Sequence, residues 1–286
     1  MKLKYLGTAA AEGSPALFCR CEFCKYAWKN GGKEIRTRAG SIIDGRLKLD
    51  FGPDTYKHML DHHMDLEGVT ALLITHSHED HYCINDLAYR RNGFSRIPED
   101  EAPLTIYGNE KVGRLFSERS FTNTLFQRML PFEPTLIDGY TVTALEAVHC
   151  LGSGEGCGYP VVFENKAYTR SEEAFFYLIE KDGKSILYAH DTDEFTPSDM
   201  EFLTGRHIDL ISLDCTNGRL DCNYIGHMGI NDNLRMREKL LANGAADEHT
   251  VFAANHFSHN GLLPHREIEA AMPGFVVAYD GMEIEI

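Results

Sequence analysis

No apolar run in this 286-residue chain approaches the roughly 20 residues that cross a bilayer, so no membrane-spanning helix is expected. The opening Met1-Lys2-Leu3-Lys4-Tyr5-Leu6-Gly7 is too short and polar for a signal peptide and reads as a first strand ending at Gly7. The cytoplasm is therefore the default compartment. No Lys/Arg block interrupts a formal charge of −15. An acidic surface repels a phosphate backbone, so long nucleic acid is an unexpected partner and a small molecule an expected one. There is no Gly-x-Ser-x-Gly elbow and no P-loop. Gly152-Ser153-Gly154-Glu155-Gly156-Cys157-Gly158 is not a dinucleotide fingerprint, because no helical pattern follows it. Repeats, low-complexity segments and long linkers are also missing, and residues 1–286 read as a single domain.

What is present is a succession of short β-type runs: Ser41–Leu49, Val69–Thr75, Leu104–Tyr107, Tyr140–Val148, Ala174–Glu180, Ser185–Ala189, Ile208–Leu213, Thr250–Ala254 and Phe275–Tyr279. Helical patterns lie between some of them, at Thr55–Asp65, Asn85–Asn92, Pro197–Thr204, Ile230–Asn243 and His265–Met272. This order suggests an α/β sandwich with helices outside packed sheets. Arg91–Pro103 is polar, contains two prolines and reads as a surface loop. Leu151–Ser171 starts glycine-rich, shows little periodicity and reads as an insertion loop, either one wall of a substrate cleft or a solvated loop.

The densest chemistry lies in Thr75-His76-Ser77-His78-Glu79-Asp80-His81, directly after the apolar run Val69–Ile74. Three imidazoles and a carboxylate so close together are metal donors rather than core residues. One such stretch cannot enclose two ions, so other donors must arrive from elsewhere. His149, Asp191 and His256 each stand just past an apolar run, the position the first stretch occupies. Taken singly, each is more often an ordinary loop residue; their joint placement makes a ligand role the better reading. His190 is expected to face away from the metals, and His58, His62 and His63 to lie on the surface of one helix. His207, His249 and His265 carry no assigned role.

His76-x-His78-x-Asp80-His81 followed by His149, Asp191 and His256, together with Asp50-Phe51-Gly52-Pro53, resembles the metallo-β-lactamase-fold hydrolases over nearly the whole chain. The resemblance implies a four-layer αββα sandwich and a binuclear centre. One ion would be held by His76, His78 and His149, and the other by Asp80, His81 and His256. Asp191 would bridge ions about 3.5–4 Å apart with a hydroxide between them. Mixed His/Asp sets accept Zn, Mn and Fe.

Cys19-Arg20-Cys21-Glu22-Phe23-Cys24 places three thiols within a polar segment, where buried free cysteines are a poor alternative. A structural zinc site needs a fourth donor. His259 is preferred, while Cys83, Cys150, Cys215 and Cys222 are rivals better read as small packing groups. CxCxxC with this HxxH resembles the PhnP-type phosphodiesterases, which implies zinc on Cys19, Cys21, Cys24 and His259. Gly226-His227-Met228-Gly229 resembles the GHM motif of phosphodiesterases of this fold, and Asn231 or Asp232 would cap the helix that follows. Asp80 and His227 are thus the expected catalytic residues. His227 would act in proton transfer or in binding a phosphate oxygen.

The expected activity is hydrolysis of a small phosphodiester, cyclic phosphates included, by attack of the metal-bridging hydroxide. The alternatives are a lactonase, a thioesterase or a tRNA 3′-processing endonuclease of the same fold, or a non-catalytic metal-bound binding protein. A homodimer is compatible with this reading.

Overall fold

A computed structural model describes residues 1–149, 159–163, 166–170, 174–220 and 226–286. Cys150, Cys157, Cys222 and most of the 151–171 segment lie outside the described residues. Two seven-stranded mixed sheets form the frame. The first runs in the order β16 (Glu283–Glu285), β1 (Lys2–Gly7), β2 (Gly40–Ile43), β3 (Leu47–Leu49), β4 (Ala71–Leu73), β5 (Leu104–Gly108) and β6 (Thr124–Arg128). The second runs β15 (Phe275–Val277), β14 (Val251–Asn255), β13 (Leu210–Asp214), β12 (Lys184–Ala189), β11 (Phe175–Lys181), β8 (Tyr140–Glu146) and β7 (Pro134–Ile137).

Alternation along the strands builds three apolar layers. On β11, Phe175, Tyr177 and Ile179 face the first sheet and meet Leu3, Tyr5, Leu47, Leu49 and Leu73. Phe176 and Leu178 point outward with Leu145 and Leu187. They are covered by Leu203 of α4 (Pro197–Leu203) and by Met236 and Leu240 of α5 (Ile230–Ala242). The outward face of the first sheet (Leu6, Ile42, Leu72, Ile106) is closed by Met59 of α2 (Thr55–His62) and Val112 of α3 (Glu110–Ser117). Each Leu or Phe fully buried here is worth about 1.5–3 kcal/mol. The expected αββα sandwich is thereby realised.

Four details differ from expectation. Ser41–Leu49 is two strands rather than one, since Asp44 and Gly45 take positive φ and turn the chain back. Asn85–Asn92 is represented by a 3-10 helix, Ile84–Tyr89. Part of the 151–171 segment forms an antiparallel hairpin, β9 (Tyr159–Phe163) with β10 (Lys166–Arg170). His58 is buried rather than on the surface. It lies under the first sheet with Nε2 2.8 Å from Thr37 Oγ1, and its own burial holds its pKa down to about 2. Arg91–Pro103 is the largely exposed loop the sequence suggests.

Candidate metal centre

Six strands end at one rim of the sandwich. Asp50 follows β3, His76 to His81 follow β4, His149 follows β8, Asp191 follows β12, Asp214 ends β13 and His256 follows β14. β3 and β4 are parallel, as are β12, β13 and β14, so their carboxyl ends point to the same edge. Asp50, Asp191 and His256 have φ of 59°, 50° and 60°. Non-glycine residues adopt this region at a cost, and three at one rim mark a site where the surrounding fold imposes the conformation.

The seven residues expected to hold two ions come together. His76 Nε2 lies 3.0 Å from His78 Nδ1, and His149 Nε2 lies 3.3 Å from the same atom. Donor atoms of these three lie within 4.8 Å of one another, as do those of Asp80, His81 and His256. Asp191 touches both sets: its Oδ2 is 2.6 Å from His81 Nε2 and 3.1 Å from His256 Nε2, and its carboxylate lies within 4.8 Å of a His76 ring nitrogen. All three atoms are buried, and none makes a hydrogen bond of normal geometry. So close a set needs positive charge among its members, supplied by protons on the imidazoles or by a bound cation.

The electrostatics agree. Burial opposes charge on His256, yet Asp191 and Asp214 outweigh it and raise its pKa to about 10. His81 is likewise driven up against its burial by Asp191, Asp80 and Asp50. By contrast, burial keeps His76 neutral and lowers His149 to about 4. One half of the cluster presents neutral imidazoles, and the other half draws positive charge. The donor chemistry fits a pair of divalent cations.

The ring tautomers are set from behind. Asp50 Oδ2 accepts from His81 Nδ1 at 2.7 Å, and Asp50 Oδ1 accepts from the Thr75 amide and hydroxyl. The Gly226 carbonyl accepts from His149 Nδ1 at 3.2 Å. In both rings Nε2 is left to the centre, the usual support for a metal-binding histidine. Gly52 is required beside Asp50, because a Cβ there would stand 2.0 Å from the Asp80 carbonyl oxygen.

His227 also reaches the rim. Its Nδ1 is 3.0 Å from Asp214 Oδ2 and 3.4 Å from Asp191 Oδ1, and its ring stacks on that of His256 at 5.8 Å. Burial lowers its basicity but Asp214 prevails, so its pKa is raised. Asp214 is fully buried and accepts from the amides of Asp191, Thr216 and Met228 as well as from His227, and its pKa falls to about 2. With its oxygens so occupied it fits an orienting carboxylate better than a ligand. The cap expected from Asn231 or Asp232 falls instead on Gly229, since α5 starts at Ile230 and no side chain caps it; Asp232, in the first turn, reaches back to accept from the Gly229 amide.

Asp214 escaped the sequence reading, and Asp50 was noted without a role. Both carry the signal that identified Asp191: each ends an apolar run. His190 turns from the rim as expected, with Nε2 2.8 Å from Ser212 Oγ.

A second cluster lies behind the His256 loop. Cys19 Sγ and Cys21 Sγ are each 3.5 Å from His259 Nδ1, and Cys24 completes a set within 4.8 Å. Cys21 caps α1 (Glu22–Asn30) by accepting from the Cys24 amide, and Ala16 and Cys21 amides point at the sulfurs of Cys24 and Cys19. Such N–H···S contacts steady thiolates around an ion. The rival Cys215 instead packs in the core, its sulfur 3.9 Å from that of Met272.

Residues 46–246 match the family described as the beta-lactamase superfamily domain. The probable metallo-hydrolase YhfI of Bacillus subtilis (strain 168) is 24% identical over 231 residues, covering 77% of this chain and 86% of its own. Among solved structures, a diphosphatase of the PhnP family superposes with TM-score 0.73 at 22% identity, over 100% of this chain and 97% of that one. Zinc-bound PqqB from Methylobacterium extorquens gives TM-score 0.73 at 20% identity over 100% of both chains.

Proposed function

The chain belongs to the beta-lactamase superfamily, and from that premise we propose that it is a binuclear metal-dependent hydrolase of small phosphodiesters. One observation carries the reading: seven donor side chains converge at one rim, where the buried His81 Nε2 and His256 Nε2 both close on Asp191 Oδ2. The Cys19, Cys21, Cys24 and His259 cluster and the His227 rim position support the phosphodiester class, since the first resembles the PhnP-type pattern and the second the GHM motif of phosphodiesterases of this fold. The likeness to a PhnP-family diphosphatase supports the fold.

Two divalent cations, when bound, would supply a water acidified to a nucleophile at neutral pH and positive charge for the phosphoryl oxygens. His76, His78 and His149 are arranged to hold one of them, Asp80, His81 and His256 the other, with Asp191 shared. Asp50 fixes the His81 ring, and the Gly226 carbonyl fixes that of His149. Asp214 holds the Nδ1 side of His227, so that Nε2 is the nitrogen that passes a proton to the leaving oxygen. The Cys/His259 zinc site would brace the loop that carries His256. Backbone bonds from Ala10 to the Phe257 carbonyl and from Phe257 to the Thr8 carbonyl tie that loop to the amino-terminal segment.

The test is a substrate panel. Protein loaded with Mn²⁺ or Zn²⁺ is offered bis-p-nitrophenyl phosphate, a 2′,3′-cyclic nucleotide, a lactone and a thioester. Hydrolysis of the phosphodiesters is expected. Cleavage of the lactone or thioester alone overturns the substrate class, and silence on all four at full metal loading overturns the enzyme.

A further inference from the structure

The turn that carries His256 is strained. Its φ of 60° is unfavourable for a histidine, so the surrounding structure must hold it. Phe257, the next residue, is the handle. Its amide donates to the Thr8 carbonyl at 2.9 Å, and its carbonyl accepts from the Ala10 amide at 3.0 Å. Its ring is buried in a small apolar cluster with Cys215, Ile230 and Ile268.

A buried cation lies against that ring. Arg36 stands between α1 and β2 and is 4% exposed. One guanidinium nitrogen donates to Thr8 Oγ1 and to the Ala278 carbonyl, both at 2.7 Å. Another donates at 2.8 Å to Nδ1 of His265, which opens α6 (His265–Ala271). The guanidinium carbon is 4.3 Å from the centre of the Phe257 ring, within reach of cation–π attraction. Arg36 thus grips Phe257 twice, through its ring and through Thr8, whose carbonyl holds its amide.

The charge on Arg36 is balanced from a distance. Burial lowers its pKa to about 10, with Asp280 and then Glu34 opposing, so it is cationic at neutral pH. Both carboxylates are spent on other donors. Asp280 accepts from the Thr8 hydroxyl and from the Thr37 amide and hydroxyl, and Glu34 accepts from the His265 amide. A buried cation without a direct ion pair is a poor source of stability. What it provides is geometry. Its planar fork fixes two oxygens, an imidazole and a ring face at once, which the single ammonium of a lysine cannot do.

We infer that Arg36 is a positioning residue for the metal centre: through Phe257 and Thr8 it holds the His256 turn so that His256 Nε2 meets Asp191. The inference rests on the binuclear centre of the proposed function and on no particular substrate.

The test reads the centre directly. Metal-free, full-length protein is titrated with Co²⁺ and followed by absorption. An intense thiolate charge-transfer band marks ions in the Cys/His259 cluster, and d–d absorption that grows without it marks the His/Asp centre. Arg36→Lys and Phe257→Leu should each weaken Co²⁺ binding at the centre by about 10-fold to 100-fold and shift its d–d bands at saturation. The double variant should weaken it no further than the worse single change, since both remove the same contact. A support for the fold alone would lower the thermal midpoint and leave the folded centre with wild-type affinity and bands. Phe257→Leu keeps an apolar side chain of similar bulk and decides the matter by itself should Arg36→Lys fail to fold. Wild-type affinity and bands in Phe257→Leu, or losses that add in the double variant, overturn the inference. A wild-type protein that takes no Co²⁺ at the centre overturns the binuclear reading and the role of Arg36 with it. If the centre behaves as expected while the substrate panel stays silent, the phosphodiester reading falls and the role of Arg36 stands.

Discussion

The two donor clusters are built in opposite ways. The His/Asp centre draws its donors from four strand ends of both sheets and places them over a buried polar layer of Asp50, Thr75, Asp214 and Ser212. The Cys/His259 cluster takes three donors from six consecutive residues and one from a distant loop, steadied by backbone amides rather than side chains. Nitrogen and oxygen donors held by a rigid frame suit an ion that must keep a coordination position for substrate. Three thiolates and an imidazole fill a tetrahedron and leave no such position. The first arrangement fits chemistry, and the second fits a clamp on the loop that carries the last donor of the first.

The strongest way to break this contrast is to remove one donor from each cluster. Asp191→Ala deletes the carboxylate shared by both halves of the centre, and four buried imidazoles then meet with only Asp80 among them. Metal should be lost from the centre and turnover abolished, while elemental analysis still finds the thiolate-bound zinc. Cys24→Ser should do the reverse. It loses that zinc and lowers the thermal midpoint, and turnover returns in part when the centre is supplied with excess metal. Equal loss of all metal in both variants would mean that the clusters are one cooperative unit and that the contrast is wrong.

A finer separation comes from His227→Ala. A positioned acid contributes roughly 10²–10⁴ in rate, so kcat should fall by about that factor at unchanged metal content. Loss of metal along with activity would place His227 among the ligands and leave the leaving group without its proton donor.

The two clusters were also legible in the sequence to different degrees. Cys19, Cys21 and Cys24 are close in the chain, and their spacing alone suggests an ion; His259, far along the chain, is preferred from among five candidates, and the family pattern then agrees. The His/Asp donors are far apart, yet each follows an apolar run, so a single rule located His149, Asp191 and His256. The same rule applied to Asp50 and Asp214 would have found them, but a carboxylate that orients a histidine leaves no spacing signature of its own. His58 was misplaced because a helix pattern shows which residues share a face and not what covers it.

The smallest effect concerns the buried support under the centre. Lys48 is 1% exposed, and its Nζ donates to the Asp50 carbonyl at 2.7 Å. Leu47 and Leu49 point between the sheets, so alternation sends Lys48 to the opposite face, toward α2. Burial disfavours its ammonium form and lowers its pKa to about 8, with Asp50 opposing. A depressed folded value means that folding is favoured when the amine is neutral. The stability it contributes is complete above its ordinary pKa near 10.5 and is lost as pH falls through about 8. A shift of this size corresponds to about 3 kcal/mol across that window. Lys48→Met removes the titration but also strips the Asp50 carbonyl of its donor, so the sign of the change at one pH decides nothing. The slope does. Denaturant unfolding of both proteins between pH 7.5 and about pH 10.5 should show the wild type gaining about 3 kcal/mol on the Met variant as pH rises. Parallel curves would mean that Lys48 stays charged throughout. The Asp50 turn would then be held by an ammonium compensated in place, and the polar layer beneath the centre would be better satisfied than its burial implies.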